Sequence, residues 1–251
     1  MSLQELLYLL PIFFIVAFLY ASVGHGGASG YLAVFALFSI ASPAIAPLAL
    51  VLNIIVAGTS YWRYYSAGYF SPRLLLPFIV GSIPCAFLGG LLPISDAVFS
   101  LLLGISLLFA ALRLLIQNAV YVEREHLTTV RLWLIGIPVG AVLGFISGMV
   151  GIGGGVFLSP LLLFLHWADA KRTAALASAF IILNSISGLF GHIYRANFSF
   201  ALVLPFAAVV FIGGMLGAKT GATQLPLKTL QRILAVVLLF AGIKMVSKFL
   251  L

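Results

Sequence analysis

Charge is scarce in this sequence. Only 7% of its 251 residues are charged and five are acidic, against about 25% charged in a soluble domain. No Asp, Glu, Lys or Arg occurs between Glu5 and Arg63. With 63% hydrophobic residues, a water-soluble fold of this size would lack the polar side chains to cover its surface. The apolar runs are continuous rather than alternating, which excludes a β-barrel. Cys85 is the one cysteine, so an intrachain disulfide and a cysteine-only metal site are both excluded, and packing accounts for it. HExxH, GxSxG and central carboxylate pairs are missing, and with them the common routes to an intramembrane enzyme. Neither a metal nor a cofactor is expected. The formal charge of +8 gathers at segment ends, which points to membrane topology and anionic lipid, not to nucleic acid.

Ten apolar segments make up the chain, at 6–23, 28–41, 44–62, 74–92, 96–116, 132–149, 155–167, 173–192, 199–218 and 228–250. Eight reach the roughly 20 residues needed to cross a bilayer. The first starts at Leu6 without a basic leader or a small-residue cleavage site, and reads as a membrane helix rather than a cleaved signal. The expected fold is an all-α polytopic membrane protein, with eight long helices and two short ones. Both short segments begin at glycine clusters, Gly24-His25-Gly26-Gly27 and Gly151-Ile152-Gly153-Gly154-Gly155. Glycine costs about 1 kcal/mol inside a helix relative to Ala, so these clusters predict helix interruption at membrane depth.

The clusters belong to an internal repeat. Gly24, Gly26 and Gly27 match Gly151, Gly153 and Gly154 at an offset of 127. Asn53 then matches Asn184, Leu76-Pro77 matches Leu204-Pro205, Leu88-Gly89 matches Leu216-Gly217, and Phe109-Ala110 matches Phe240-Ala241. Arg113 falls against Lys244. Chance supplies any one of these matches but hardly the ordered series. The chain divides into repeats at 1–122 and 123–251. Five crossings per repeat make the halves inverted; four, with re-entrant short segments, make them parallel. The inverted arrangement places ten basic residues on one side and Arg195, Lys244 and Lys248 on the other, while the parallel one divides them eight to five. Both obey the positive-inside rule, and the inverted one obeys it better.

A helix that starts just after a glycine cluster presents free backbone N–H groups and the positive end of its dipole. Interrupted helices in corresponding places of two repeats form anion sites in secondary transporters. The candidate substrate-binding residues are therefore Gly24, His25, Gly26, Gly27, Ser29, Gly151, Gly153, Gly154, Gly155 and Ser159. Close helix packing on small residues is the competing account. A nucleotide loop is not, because no GxxxxGK[ST] pattern is present. Asn53, Asn184 and Ser178 join the candidates as intramembrane polar residues, with helix–helix hydrogen bonding as the alternative. His25 reads either as an anion or proton ligand, or as a neutral imidazole bonded to a carbonyl freed by the break. Arg113 and Lys244, near segment ends, read as snorkelling cations. Lys219 reads as a boundary anchor, with an inward-reaching anion ligand as the alternative. Trp62, Tyr61, Tyr64, Tyr65, His192 and Tyr194 read as an interfacial belt, and Asp169 as a helix N-cap.

The run GMVGIGGGVFLSPLLLF, residues 148–164, resembles the signature of the TauE/SafE family of sulfur-anion permeases, in which a glycine cluster precedes a proline once per half. Gly151 to Gly155 and Pro160 fit that pattern. The first copy departs from it, with His25 and Ser29 in a looser glycine run and no proline at the place of Pro160. The resemblance extends over the whole chain. It implies a multi-pass protein of the cell inner membrane that exports or imports sulfite, sulfoacetate or another organosulfonate. Its partners would be a small anion and a bilayer containing anionic lipids, and a homo-oligomer is compatible with it. A passive anion channel and a non-transporting assembly subunit are the alternatives.

Overall fold

The computed structural model describes residues 3–116, 128–195, 203–221 and 227–250. All regular structure among them is helical. The ten segments appear as α1 (Leu3–Ser22), α2 (Ala28–Leu37), α3 (Ala46–Ser66), α4 (Pro72–Leu91), α5 (Asp96–Ile116), α6 (Thr129–Val150), α7 (Gly155–Phe164), α8 (Ala170–Arg195), α9 (Val203–Gly221) and α10 (Leu227–Leu250), with a 3-10 turn at Pro43–Ile45. Six of them, α3 to α6, α8 and α9, are long and apolar enough to cross a membrane. With 20 and 24 residues, α1 and α10 match those six in length. The α2 and α7 helices have ten residues each, which is about 15 Å, or half the hydrocarbon thickness.

Local chemistry sets these boundaries. Gly68 ends α3 with φ +80°, a value glycine adopts without steric cost. Pro72 starts α4, where a missing N–H costs nothing. Asp169 caps α8 as expected, its Oδ1 accepting from Arg172 N at 2.8 Å. The second segment stops at Leu37, short of the expected residue 41, because Ser39 turns the chain with φ +61°.

Helix pairing follows a rule. α1 packs on α9, α4 on α6, α5 on α10, α3 on α8 and α9, and α4 on α8. Shifting every helix number by five maps each of these pairs onto another pair or onto itself. The closest partners lie one in α1–α5 and the other in α6–α10, so the two sets of helices interlock. The boundary between them, near residue 122, lies outside the described residues.

Lipid tails give helices no hydrophobic reason to associate, so close backbone approach through small residues takes that role. On α6, Gly136, Gly140, Gly144 and Gly148 form a stripe at four-residue spacing. A Cβ on Gly140 would strike the Phe78 carbonyl, one on Gly144 that of Ser82, and one on Gly148 that of Ala86. At Gly140→Ala the backbones must separate. Overpacking of this kind costs about 1–3 kcal/mol, so the variant should unfold at lower temperature in detergent. An unchanged midpoint would show that α4 and α6 are not held by this contact.

The two ends of the helix array can be identified from polar contacts. Arg73 Nη2 donates to Thr129 Oγ1 at 2.8 Å, and Lys171 Nζ donates to Tyr69 OH at 3.2 Å. The α3–α4 turn, the start of α6 and the start of α8 therefore share one end. Trp62 and Tyr65 are exposed there, as expected of an interfacial belt. At the other end Lys244 Nζ donates to Leu37 O at 2.6 Å and to Ser39 Oγ at 3.0 Å. Tyr64 departs from the belt expectation, being 8% exposed, and so does His192. It is buried at 2% exposure, and its Nε2 donates to Gly148 O at 2.8 Å, while Tyr194 is exposed as expected.

Candidate functional site

Both glycine clusters are enclosed by protein. Gly24 to Ala28 and Val150 to Val156 are all buried. Their backbone is one that side chains resist: φ is +77° at Gly24, +116° at Gly27, +84° at Gly151, +75° at Gly153 and +76° at Gly154. Gly151 closes α6, its N–H bonding to Ser147 O at 2.8 Å. The chain then unwinds for Ile152 to Gly154 before α7 begins. In the first copy, His25 to Gly27 are unwound ahead of α2.

The two breaks meet at one side chain. Asn53 Oδ1 accepts from Ala28 N, the first N–H of α2, at 3.0 Å. Its Nδ2 donates to Ile152 O in the other break at 3.1 Å and to Ser185 Oγ on α8 at 3.0 Å. A Cβ on Gly26 would overlap Asn53 Oδ1, and one on Gly153 would overlap Asn53 Nδ2. Glycine is thus needed on both sides of Asn53 for the two breaks to approach. The N–H groups of Gly153, Gly154, Gly155 and Val156 find no protein acceptor among the described residues. Four donors at the positive end of α7 make a cradle for negative charge.

A second group lies beside the first. His25 is 3% exposed. Its Nδ1 is 2.9 Å from Val23 O, and a carbonyl only accepts, so Nδ1 carries the proton. Arg113 Nη1, which can only donate, lies 3.0 Å from Nε2, so Nε2 accepts. The Ser159 hydroxyl is 2.8 Å from the same nitrogen and 2.9 Å from Gly155 O; its one hydrogen serves either. These bonds describe a neutral imidazole tied to a freed carbonyl, the second of the two readings for His25. Tyr20 OH shares a 2.7 Å hydrogen bond with Ser29 Oγ and lies within the field of Arg113.

The candidate residues thus divide. Gly26, Asn53 and Gly153 converge on the break crossing, while Gly27 lies against Tyr31 and Gly154 against Phe180 and Ser147. His25, Ser29, Ser159 and Gly155 border the crossing, while Gly24 and Gly151 shape the turns, against Ala174 and Ala46. Ser178 and Asn184 do not join them: Ser178 Oγ donates to Ala175 O at 2.9 Å and Asn184 Nδ2 to Phe180 O at 2.8 Å, each within α8. Arg113 overturns its reading as a snorkelling cation, because its guanidinium turns inward to His25 while Lys244 stays at the surface. Ser185 and Tyr20 were also not candidates. For Ser185 a signal existed, since it neighbours Asn184 in the repeat match. Among the described residues, no three His, Cys, Asp or Glu side chains gather to hold a metal ion.

The arrangement brings backbone N–H donors and the guanidinium of Arg113 together beside the two buried breaks. Comparison with known proteins supplies the family. The model of the family described as sulfite exporter TauE/SafE matches residues 9–245. The chain is 35% identical over 238 residues to the probable membrane transporter protein y4hK of Sinorhizobium fredii, covering 93% of this chain and 95% of that one. It is 26% identical over 231 residues to the probable membrane transporter protein YunE of Bacillus subtilis, covering 84% and 83%. No solved structure matches it. The chain belongs to the sulfite exporter TauE/SafE family and is a multi-pass membrane transporter rather than an enzyme.

Proposed function

We propose that this transporter carries a small sulfur-containing oxyanion, of the sulfite, sulfoacetate or organosulfonate type, by alternating access. The observation that supports this best is the meeting of two half-membrane helices at Asn53, with the N–H groups of Gly153 to Val156 open to an acceptor. Unwound backbone at membrane depth is tolerated only where it is buried in protein or lines a cavity, and transporters place substrate at such breaks. The sulfur-anion class is supported by the family description and by the N–H donors left open at the start of α7.

The repeats are read as inverted. The Arg73–Thr129 and Lys171–Tyr69 contacts favour this, because they gather Arg63, Arg73, Lys171 and Arg172 at one end, with Lys244 at the other. By the positive-inside rule that basic end faces the cytoplasm and its anionic lipids. Because the halves interlock, the bodies that rock are mixed in sequence: α1 and α9 with α3, and α4 and α6 with α8. The break crossing then lies on the α3–α8 seam between them. Enclosure of both clusters favours a carrier over an open channel.

Proteoliposomes containing this chain alone should take up sulfite or an organosulfonate with saturation. Preloading with the same anion should accelerate uptake by counterflow. Linear flux without counterflow would make the protein a channel, and no flux with any sulfur oxyanion would remove this reading.

A further inference from the structure

We infer that the transported species is held as a monoanion, with its single negative charge matched to the guanidinium of Arg113. This rests on the anion-transport reading above and narrows it to a charge class, which keeps hydrogen sulfite and simple sulfonates and excludes the dianion sulfoacetate.

Arg113 is charged at neutral pH. It sits one turn from the end of α5, yet its guanidinium is directed into the protein, with Nη1 on His25 Nε2 at 3.0 Å. The Nε of Arg113 is shielded from solvent and has no hydrogen-bond partner among the described residues. No carboxylate pairs with it among those residues; the ion pair between described side chains, Arg172 with Asp169, lies at the start of α8. Its hydrogen-bond partner is neutral, the imidazole of His25, whose Nε2 also contacts the Ser159 hydroxyl. The region therefore carries one fixed positive charge, supplemented by helix N-terminal dipoles. Arg113 as a whole is half-buried, and a charge partly withdrawn from water gains from a partner of opposite sign.

One cation favours one negative charge. Desolvation cost grows with the square of the ion's charge, so a dianion costs about four times what a monoanion does. Its attraction to a single guanidinium grows only about twofold. The planar fork of Arg113 also matches two oxygens of a sulfonate or hydrogen sulfite. His25 acts as a positioning residue: accepting at Nε2, it holds the guanidinium beside Ser159 and the first turn of α7.

The test uses the full chain, with methanesulfonate as a permanent monoanion and sulfate as a dianion at neutral pH. Methanesulfonate should raise the thermal midpoint in detergent and compete with sulfite uptake into proteoliposomes. Sulfate at tenfold higher concentration should do neither. Arg113→Gln should lose the methanesulfonate shift and Arg113→Lys should keep part of it. Size-exclusion profiles identify any variant that fails to fold, and in that case Arg113→Lys with its weakened shift carries the test. Equal competition by sulfate, or wild-type methanesulfonate binding by Arg113→Gln, overturns the inference and leaves anion transport standing. Failure of sulfite, methanesulfonate and sulfate alike to bind or compete would instead remove the anion reading itself.

Discussion

Asn53→Leu is expected to bring sulfur-oxyanion uptake in proteoliposomes close to the background of empty vesicles. The substitution is close in volume, so packing on α3 is largely retained. What disappears is the three-way bond from Asn53 to Ala28 N, Ile152 O and Ser185 Oγ. Buried groups left unsatisfied cost ~1–3 kcal/mol each in soluble proteins, while polar contacts between membrane helices average only ~0.6 kcal/mol. A total loss of about 2–4 kcal/mol follows, enough to lower the thermal midpoint without abolishing the fold. Transport should suffer more than stability, because these bonds place the start of α2 against the break before α7. Asn53→Gln, which keeps both amide functions at a longer reach, should recover part of the rate. Wild-type uptake by Asn53→Leu would show that the crossing is only a packing contact.

Gly153→Ala should be nearly as damaging, through a different cause. At φ +75° an L residue is strained by about 1–2 kcal/mol, and the added Cβ would fall on Asn53 Nδ2 and Ser185 Oγ. Relief requires the Asn53 amide to move, which releases Ile152 and misplaces the open N–H groups that follow. Gly58→Ala provides the comparison, since nothing lies within 4 Å of a Cβ there and helix propensity favours Ala by up to about 1 kcal/mol. The expectation is lost sulfite uptake for Gly153→Ala and unaltered uptake for Gly58→Ala. If the two variants transported equally well, the close approach at Gly153 would have no functional weight.

Much of the architecture was legible without coordinates. The two short helices were visible because glycine runs interrupt apolar sequence at matching places, and a bilayer tolerates such breaks only in protected surroundings. Asn53 was visible as an intramembrane amide. Its partners were not, because a hydrogen bond from α3 to Ile152, 99 residues on, depends on how three helices come together. Asn184 shows the limit of repeat logic. It occupies the matching place in the second half, yet bonds within its own helix.

Composition by itself determined that this protein is a helical membrane protein, since so few charged residues cannot clothe a soluble fold of its size. Glycine spacing determined where two of its helices break. Only the tertiary structure decided which polar residues meet. Arg113 and Lys244 hold matching sequence positions near the ends of α5 and α10, and either could have extended to the membrane surface. Lys244 did, reaching Leu37 and Ser39; Arg113 turned inward, because α5 packs beside α2 and α7 with His25 and Ser159 within its reach. That choice depends on which helix faces lie together, and such contacts join residues far apart in the chain.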